Sequence, residues 1–572
     1  MPVHNGDIAA RFEEIADLLE IEGANAFRVR AYRNAARMLR DLPQSAASML
    51  EDGKDLSDLP GIGEDLAGKI AEIVKTGSLS QLDALEKEVP AGLTEVVAIP
   101  GIGPKRAHAL HETLDVTSLA DLEQAARSGR IREVPGFGRK TEQNILHALE
   151  TRGSGKTRTR LREAEEVAEA LVEWLREVDG VHRATIAGSY RRRRETVGDI
   201  DILATCARDS PVVDRFVAYE DVRDIVSQGR TRSTVILKNG LQVDLRVVAR
   251  VAYGAALHYF TGSKAHNIRV RRMGQDRQLK INEYGVFRGK KRVAGRTEEE
   301  VYEQVGLPWI DPVLREDRGE IEAAQKHKLP ELIRLDDIRG NLHSHTKASD
   351  GTRTLAQMAA AAKARGWSYL AISDHSKAVT VANGLDAERL AEQIDAIDAL
   401  NEELDGITLL KSCEVDILAD GSLDLPDDIL ARLDLTVCAV HSHMDLSRDK
   451  QTERVLKAMD HPCFNIMAHP TGRLIGTREP YPLDIERVIE HARDTGCILE
   501  LNAQPDRLDL DDGHCKMARD SGVRLSIGTD AHAEAHLDFM RYGVDQARRG
   551  WVEAADVVNT LELDKLRKAL AR

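Results

Sequence analysis

At 572 residues the chain is longer than one hydrophobic core organises, so several domains are expected. A composition of 42% hydrophobic and 31% charged residues excludes a membrane-embedded or fibrous chain, no apolar run is long enough to span a bilayer, and the opening MPVHNGDIAARFEEIADLL does not read as a secretion signal. The net charge of −15 is unevenly placed: residues 1–317 sum to −2 (48 basic, 50 acidic) and 318–572 to −13 (32 basic, 45 acidic), yet 229–293 carry 15 basic and 3 acidic residues, a stripe of +12 suited to phosphates.

Residues 1–150 read as short helices separated by glycine turns. Three turns repeat one pattern, LPGIGEDLAGKI at 59–70, IPGIGPKRAHAL at 99–110 and VPGFGRKTEQNI at 134–145. A GxG turn between helices aims backbone N–H groups outward, where they grip phosphates without reading bases. The segment TRGSGKTRTR at 151–160 has no apolar periodicity and reads as a linker. An amphipathic helix is expected over 161–180, short β-rich runs over 183–250, a mixed segment to about 317, and a second linker in the polar stretch 315–328. The cysteines at 206, 413, 438, 463, 497 and 515 form no CxxC pair and are expected as buried small residues in a reducing cytosol.

After 335 the pattern becomes a regular βα alternation with seven β-type runs. Landmark residues at their carboxyl ends are His343, His375, Glu414, His441, His469, Glu500 and Asp530, with gaps of 32, 39, 27, 28, 31 and 30 residues. About 30 residues is one strand, one crossover helix and their loops, so a closed or nearly closed parallel barrel is expected, with its chemistry at the carboxyl ends of the strands.

Two sets of residues carry chemistry. In GSYRRRRETVGDIDIL (188–203), Asp199 and Asp201 alternate on a strand and face one side, and Asp244 in LQVDLRVV supplies a third carboxylate. Three such groups hold the two divalent cations that phosphoryl transfer uses, and the Gly188–Ser189 turn offers N–H groups and a hydroxyl to phosphate. This segment, with YFTGSKAHNIRVR (259–271) and INEYGVF (281–287), resembles the family X DNA polymerases, the group of DNA polymerase beta, over 1–317. The resemblance implies metal ligands Asp199, Asp201 and Asp244, with Mg²⁺ or Mn²⁺. It further implies triphosphate contacts from Gly188, Ser189 and Arg192, and sugar or base contacts from Tyr259, Phe260, Gly262 and Asn267. Arg271 would lie beside the templating base, while Lys264 departs from the acidic residue of the animal enzyme. The glycine turns resemble helix-hairpin-helix motifs, with DNA contacts at Gly61, Gly63, Gly101, Gly103, Gly136 and Gly138. Lys69 falls where the family's deoxyribose-phosphate lyase lysine lies, although Asp65 and Arg28 replace other lysines.

The second set is His343, His345, Asp350, His375, Glu414, His441, His469, Asp530 and His532. Imidazole and carboxylate ligands at successive strand ends suit a zinc or manganese cluster, and nine exceed what one tetrahedral ion needs. The pattern resembles the PHP (polymerase and histidinol phosphatase) domain, with His443, Lys377 and Arg473 as further candidates for phosphate contacts.

The expected fold is a multidomain α+β polymerase core followed by an α/β (β/α)7 barrel. Its expected parts are a helical lyase-like domain (1–85), helix-hairpin-helix fingers (86–157), a nucleotidyltransferase palm (158–252), a thumb (253–317), a linker (318–334) and the PHP barrel (335–572). The expected function is gap-filling DNA synthesis in base-excision repair, with 3′–5′ exonuclease, abasic-site endonuclease or 3′-phosphatase activity in the barrel. Expected partners are gapped or nicked duplex DNA, dNTPs and other base-excision repair proteins, with no membrane; the expected location is the cytoplasm. The competing readings are a phosphatase with a vestigial polymerase, a non-catalytic scaffold on DNA gaps, and a template-independent nucleotidyltransferase.

Overall fold

The computed structural model describes residues 5–571 except 23, 41, 43–45, 52, 60, 90–91, 98, 100–101 and 151–157, so most of the expected first linker lies outside the described residues. The chain divides into two compact units, Met1–Thr157 and Arg158–Arg572. The first unit is wholly helical. Its longer helices, Asn5–Ile21 and Ala26–Arg40, pack through Ile8, Phe12, Ile15, Leu19, Val29 and Tyr32, with the Phe12 and Tyr32 rings edge to face at 5.3 Å.

The second unit opens with the helix Leu161–Arg176, whose apolar residues recur every three or four positions and bury one face on a five-stranded sheet. The sheet order is Val181–Ile186, Asp199–Cys206, Gln242–Val247, Arg232–Leu237 and Val222–Gln228. The Asp199 and Gln242 strands run parallel, and this register sets Asp201 directly beside Asp244. The helices Tyr253–Thr261 and Lys264–Asp276 and a small three-stranded sheet follow. Across 229–293 the side chains of Arg230, Arg232, Lys264, Arg271, Lys280, Arg288 and Arg292 are exposed, so the basic stripe faces water.

The stretch expected as a second linker is instead folded. Arg315 is fully buried against Glu298 at 2.6 Å, and the helix Glu320–Gln325 inserts Ile321 and Ala324 into the core behind that small sheet. Its polar composition suggests solvent, which holds for the exposed Lys326 and Lys328, but Arg315 is buried against Glu298 and Glu320 is buried bonding His266 at 2.6 Å.

The remainder is a closed parallel barrel of seven strand units. Its strands lie at Gly340–Asn341, Tyr369–Ile372, Thr408–Lys411 continuing as Glu414–Asp416, Val437–Ala439, Ile466–Met467, Ile498–Asn502 and Leu525–Gly528. A bridge between His375 and Glu414 joins its two sheet segments, and one between Ser344 and Ala531 closes the first strand onto the last. Alternate strand residues serve two layers. Leu370, Ile372, Cys438 and Leu499 meet the surrounding helices, while Tyr369, Ala371, Val437 and Ile498 fill the interior with Leu566 and Leu570 of the helix Leu563–Leu570.

Barrel and five-stranded sheet share a core, because Leu508, Phe539 and Tyr542 of the barrel pack among Leu161, Leu175 and Phe216. Glu165 is buried there between Arg193 (3.0 Å), Arg541 (2.7 Å) and the Tyr542 hydroxyl (2.7 Å). Among the described residues no helix is long and apolar enough to cross a membrane. Truncating the shared ring in Phe539→Ala should cost about 3 kcal/mol. Read by the fluorescence of Trp174, Trp309, Trp367 and Trp551, which all lie in this unit, it should lower the urea midpoint while keeping the slope of one transition; two tryptophan transitions would show that sheet and barrel unfold independently.

Candidate active sites

The three glycine turns share one construction. Ile62, Ile102 and Phe137 are buried, and their N–H groups donate to the carbonyls of Leu59, Ile99 and Val134 at 3.0, 2.9 and 3.0 Å. Gly61 and Gly136 take φ of +85° and +88°, which only glycine adopts freely. Gly63 and Gly103 cap the helices Glu64–Thr76 and Pro104–Leu114, and the Gly138 carbonyl opens the helix Arg139–Glu150. A Cβ at Gly61, Gly63, Gly103, Gly136 or Gly138 would meet nothing within 4 Å, so these turns are open to close approach by a ligand. Gly101 lies outside the described residues.

Lys69 donates to Asp65 and sits over the Tyr32 ring at 5.5 Å. Burial pulls its pKa down, but the bonds to Asp65 and Tyr32 outweigh this and hold it above the ordinary lysine value. An amine kept protonated is a poor nucleophile, which works against the Schiff-base role.

In the five-stranded sheet, Asp199, Asp201 and Asp244 converge below the Gly188 turn. Gly188 has φ +66°, and a Cβ there would stand 2.9 Å from Asp201 Oδ2, so only glycine brings the backbone this close to the carboxylate. Burial, then repulsion from Asp199 and Asp244, pushes the Asp201 carboxyl up to about 7. Asp244 accepts from Thr234 Oγ1 (2.5 Å) and Gln242 Nε2 (2.8 Å). Ser189 is half-buried in the short helix Gly188–Arg191. Arg192 reaches the next segment, donating to the Thr261 carbonyl at 2.5 Å beside Gly262. Phe260 lies under the Arg246 guanidinium at 4.3 Å and edge-on to Tyr259. Asn267 donates to the Tyr259 carbonyl at 2.7 Å, fixing that turn, and Arg271 is exposed on the Lys264–Asp276 helix.

In the barrel the expected ligands lie at the strand ends, and eight of the nine form three overlapping groups: His345, Asp350, His375 and His532; His343, His345 and Asp530; His375, Glu414 and His441. Within each group the ligand atoms lie within 4.8 Å of one another. His345 and His375 each belong to two groups. His469 falls in none of them but bonds Glu414 Oε1 at 2.9 Å. His469 and Asp530 both take positive φ, +28° and +48°, a strained conformation common where a side chain must be aimed. His443 is exposed, and Arg473 is tied to Glu195 at 2.6 Å.

Comparison with known proteins now decides the family. Family models match residues 3–79 (helix-hairpin-helix domain), 93–151 (SAM-like helix-hairpin-helix tandem), 158–245 (DNA polymerase beta palm), 256–316 (DNA polymerase beta thumb) and 341–503 (PHP domain). The DNA polymerase/3′-5′ exonuclease PolX of Bacillus subtilis is 38% identical over 574 residues, covering 100% of both chains. The chain belongs to the family X DNA polymerases that carry a PHP domain. Proteins named probable phosphatase are similar to the barrel region alone: one from Thermoanaerobacter sp. is 26% identical over 40% of this chain and 92% of its own length, and one from Syntrophotalea carbinolica 29% over 39% and 92%.

As a family X polymerase with a PHP domain, the chain uses divalent metal ions, and its donor sets fit them. Six buried atoms in the PHP site have no hydrogen-bond partner: His343 Nε2, His345 Nδ1 and Nε2, His375 Nδ1, Glu414 Oε2 and Asp530 Oδ1. Such a cluster of unbonded donors and acceptors is costly unless a cation occupies it. The protons compete for the same place. Burial lowers the His375 and His532 pKa values, but carboxylates outweigh it, Glu414 chiefly for the first and Asp350 for the second, holding them at about 10 and about 9.

Supporting carboxylates were missed as such. Glu500, a strand-end landmark in the sequence, accepts from His343 Nδ1 (2.7 Å) and from the His469 N–H (2.8 Å), orienting two of the expected ligands. Asp416 holds His441 through its N–H at 3.0 Å and Nδ1 at 3.2 Å. The strand-end spacing already contained the signal for Glu500, and Gly528 explains its room, since a Cβ there would lie 1.9 Å from Glu500 Oε1. Because His345 serves two groups and His441 one, His345→Ala should remove two ions per chain and His441→Ala one, read by elemental analysis after dialysis. Equal losses would break the shared-ligand geometry.

Proposed function

We propose that this chain is a DNA-directed DNA polymerase that fills short gaps, paired with a barrel that hydrolyses phosphoesters at the 3′ end of the same DNA. The observation that carries the polymerase reading is the Asp201–Asp244 register beneath the Gly188 turn, with Asp201 pushed up to about 7. Carboxylates clustered against their own repulsion serve a cation rather than the fold. Mg²⁺ or Mn²⁺ at Asp199, Asp201 and Asp244 would supply activation of the primer hydroxyl and neutralise the triphosphate, and zinc or manganese in the barrel would supply activation of water.

The chain's own groups do the positioning. Gly188 and Ser189 present N–H groups and a hydroxyl to phosphate oxygens, and Arg192 adds positive charge. Tyr259, Phe260 and Gly262 stand against the sugar, with Asn267 holding their turn, and Arg271 faces the template. The open turns at Gly61, Gly63, Gly103, Gly136 and Gly138, with Gly101 of the same sequence repeat, grip backbone phosphates flanking a gap or nick. The nine barrel ligands His343, His345, Asp350, His375, Glu414, His441, His469, Asp530 and His532 hold its ions. We assign residues 1–85 to the lyase-like domain, 86–157 to the fingers, 158–252 to the palm, 253–317 to the thumb and 335–572 to the barrel. A role in base-excision repair, with other repair proteins as partners, follows from this reading. For the barrel, removal of a terminal phosphate is a second reading, supported by the relatives named probable phosphatase.

Two experiments test the proposal. Asp244→Ala should abolish gap filling by orders of magnitude while 3′ digestion in Mn²⁺ persists, and Asp530→Asn should do the reverse. Extension surviving in Asp244→Ala would remove the three-carboxylate site. The second concerns pH. A carboxyl raised above its unfolded value keeps its proton below about 7, and a metal ion must displace it. Lowering the pH from 7 to 6 should therefore weaken half-saturation of extension by Mg²⁺ about fivefold, with little change between 8 and 9. A flat profile would show that Asp201 binds no metal.

A further inference from the structure

The GSYRR turn of the palm is held from outside the polymerase core. Arg549 ends the barrel helix Met540–Arg549, and its guanidinium is almost wholly buried. One Nη donates to the Arg192 carbonyl at 2.7 Å and to Glu316 at 3.2 Å, and the other to Asp512 at 2.5 Å. Glu316 accepts in turn from Arg192 Nε at 3.0 Å. Asp512 also pairs with Arg318 at 3.0 Å, so the anchor spans the barrel and the end of the thumb. Arg549 thus touches Arg192 twice, directly at its main chain and through Glu316 at its side chain.

The electrostatics give this contact a consequence. Arg192 lies close enough to Asp201 to influence its titration, and its own Nη1 borders Gly262, so it sits between the carboxylates and the sugar-side turn. Glu316 alone would neutralise Arg192 and compete for it with a phosphate. Shared with Arg549, the same carboxylate leaves positive charge in surplus at the turn, and Arg192 stays attractive to an anion. Burial pushes the Glu316 carboxyl up, but Arg549 and Arg192 outweigh this and hold it down at about 2, so it is charged at every working pH.

We infer that Arg549, a residue of the barrel, is a positioning residue for the polymerase, setting the affinity of the palm for the triphosphate of the incoming nucleotide through Glu316 and Arg192. This rests on the reading that Arg192 meets the triphosphate. Without Arg549, Glu316 draws Arg192 to itself, and nucleotide binding weakens while the metal-bearing carboxylates are untouched.

The test uses the full chain on a one-nucleotide gapped duplex. Arg549→Met should raise the KM for dNTP about tenfold and change kcat less than about threefold. Digestion of a 3′ end in Mn²⁺ by the same preparation should stay at the wild-type rate, which certifies the barrel helix as folded. In an Arg192→Ala background the same substitution should raise KM no further, because its route is already cut. An unchanged KM in Arg549→Met, or an equal multiplicative rise in both backgrounds, would overturn the inference. If Arg192→Ala itself leaves KM unchanged, the triphosphate reading of Arg192 has failed instead. Should Arg549→Met not fold, Arg549→Gln, which keeps one amide donor but removes the charge and the second Nη contact, is read on the same scale.

Discussion

A carboxylate taken out of water needs a cation or hydrogen-bond donors beside it, and the Arg158–Arg572 unit is arranged around that need. Along the seam between palm and barrel the cations are the chain's own. Glu165 lies among Arg193, Arg541 and Tyr542; Glu195 has Arg473; Glu316 and Asp512 share Arg549. In the two sites carboxylates crowd one another or face imidazoles rather than being closed off by buried arginines. Asp201 is crowded by Asp199 and Asp244, and Glu414 and Asp530 keep buried oxygens without hydrogen-bond partners. The staples are thus carboxylates closed by arginines, whereas the centres gather carboxylates and imidazoles whose lone pairs a cation from solution would satisfy.

The same need governs geometry. A ligand cluster fails if its members drift, so each is anchored from behind. His343 is fixed by Glu500 and His441 by Asp416, while the closure of the barrel at Ser344 and Ala531 brings the two ends of the sheet together and sets Asp530 beside His345 at 3.1 Å. In the palm the anchoring is by register, since sliding the Asp199 strand by one residue would turn Asp201 to the other face of the sheet.

Much of this is legible in the chain itself, for identifiable reasons. The H-x-H pair at His343 and His345 and the steady strand-end spacing read directly, because a βα unit has a nearly fixed length. Asp199 and Asp201 are legible because strand alternation is a local property. The repeated turns at Gly61 and Gly136 are legible because positive φ demands glycine. What was not legible depends on distant partners. Arg315 and Glu320 looked like linker residues until Glu298 and His266 were seen beside them. The strand interruption at Ser412–Cys413, which aims Glu414 inward, has no sequence signature. Arg549 carries no motif at all, since its meaning lies in a carbonyl 357 positions away.

The lopsided distribution of charge has a bearing on how DNA meets the molecule. The exposed basic residues of 229–293 sit on palm and thumb, whereas 318–572 carry an excess of 13 acidic groups. A polyanion feels this asymmetry over roughly a Debye length, about 10 Å at moderate salt, before any contact forms. The basic side of palm and thumb is therefore the part of this unit that a polyanion would meet at the lowest electrostatic cost. A strand end crossing to the barrel would move towards the acidic excess, which ions held by the barrel's imidazoles and carboxylates would offset. Occupancy of the cluster would thus bear on admission as well as chemistry, since a barrel stripped of cations would present more negative charge to a phosphate backbone.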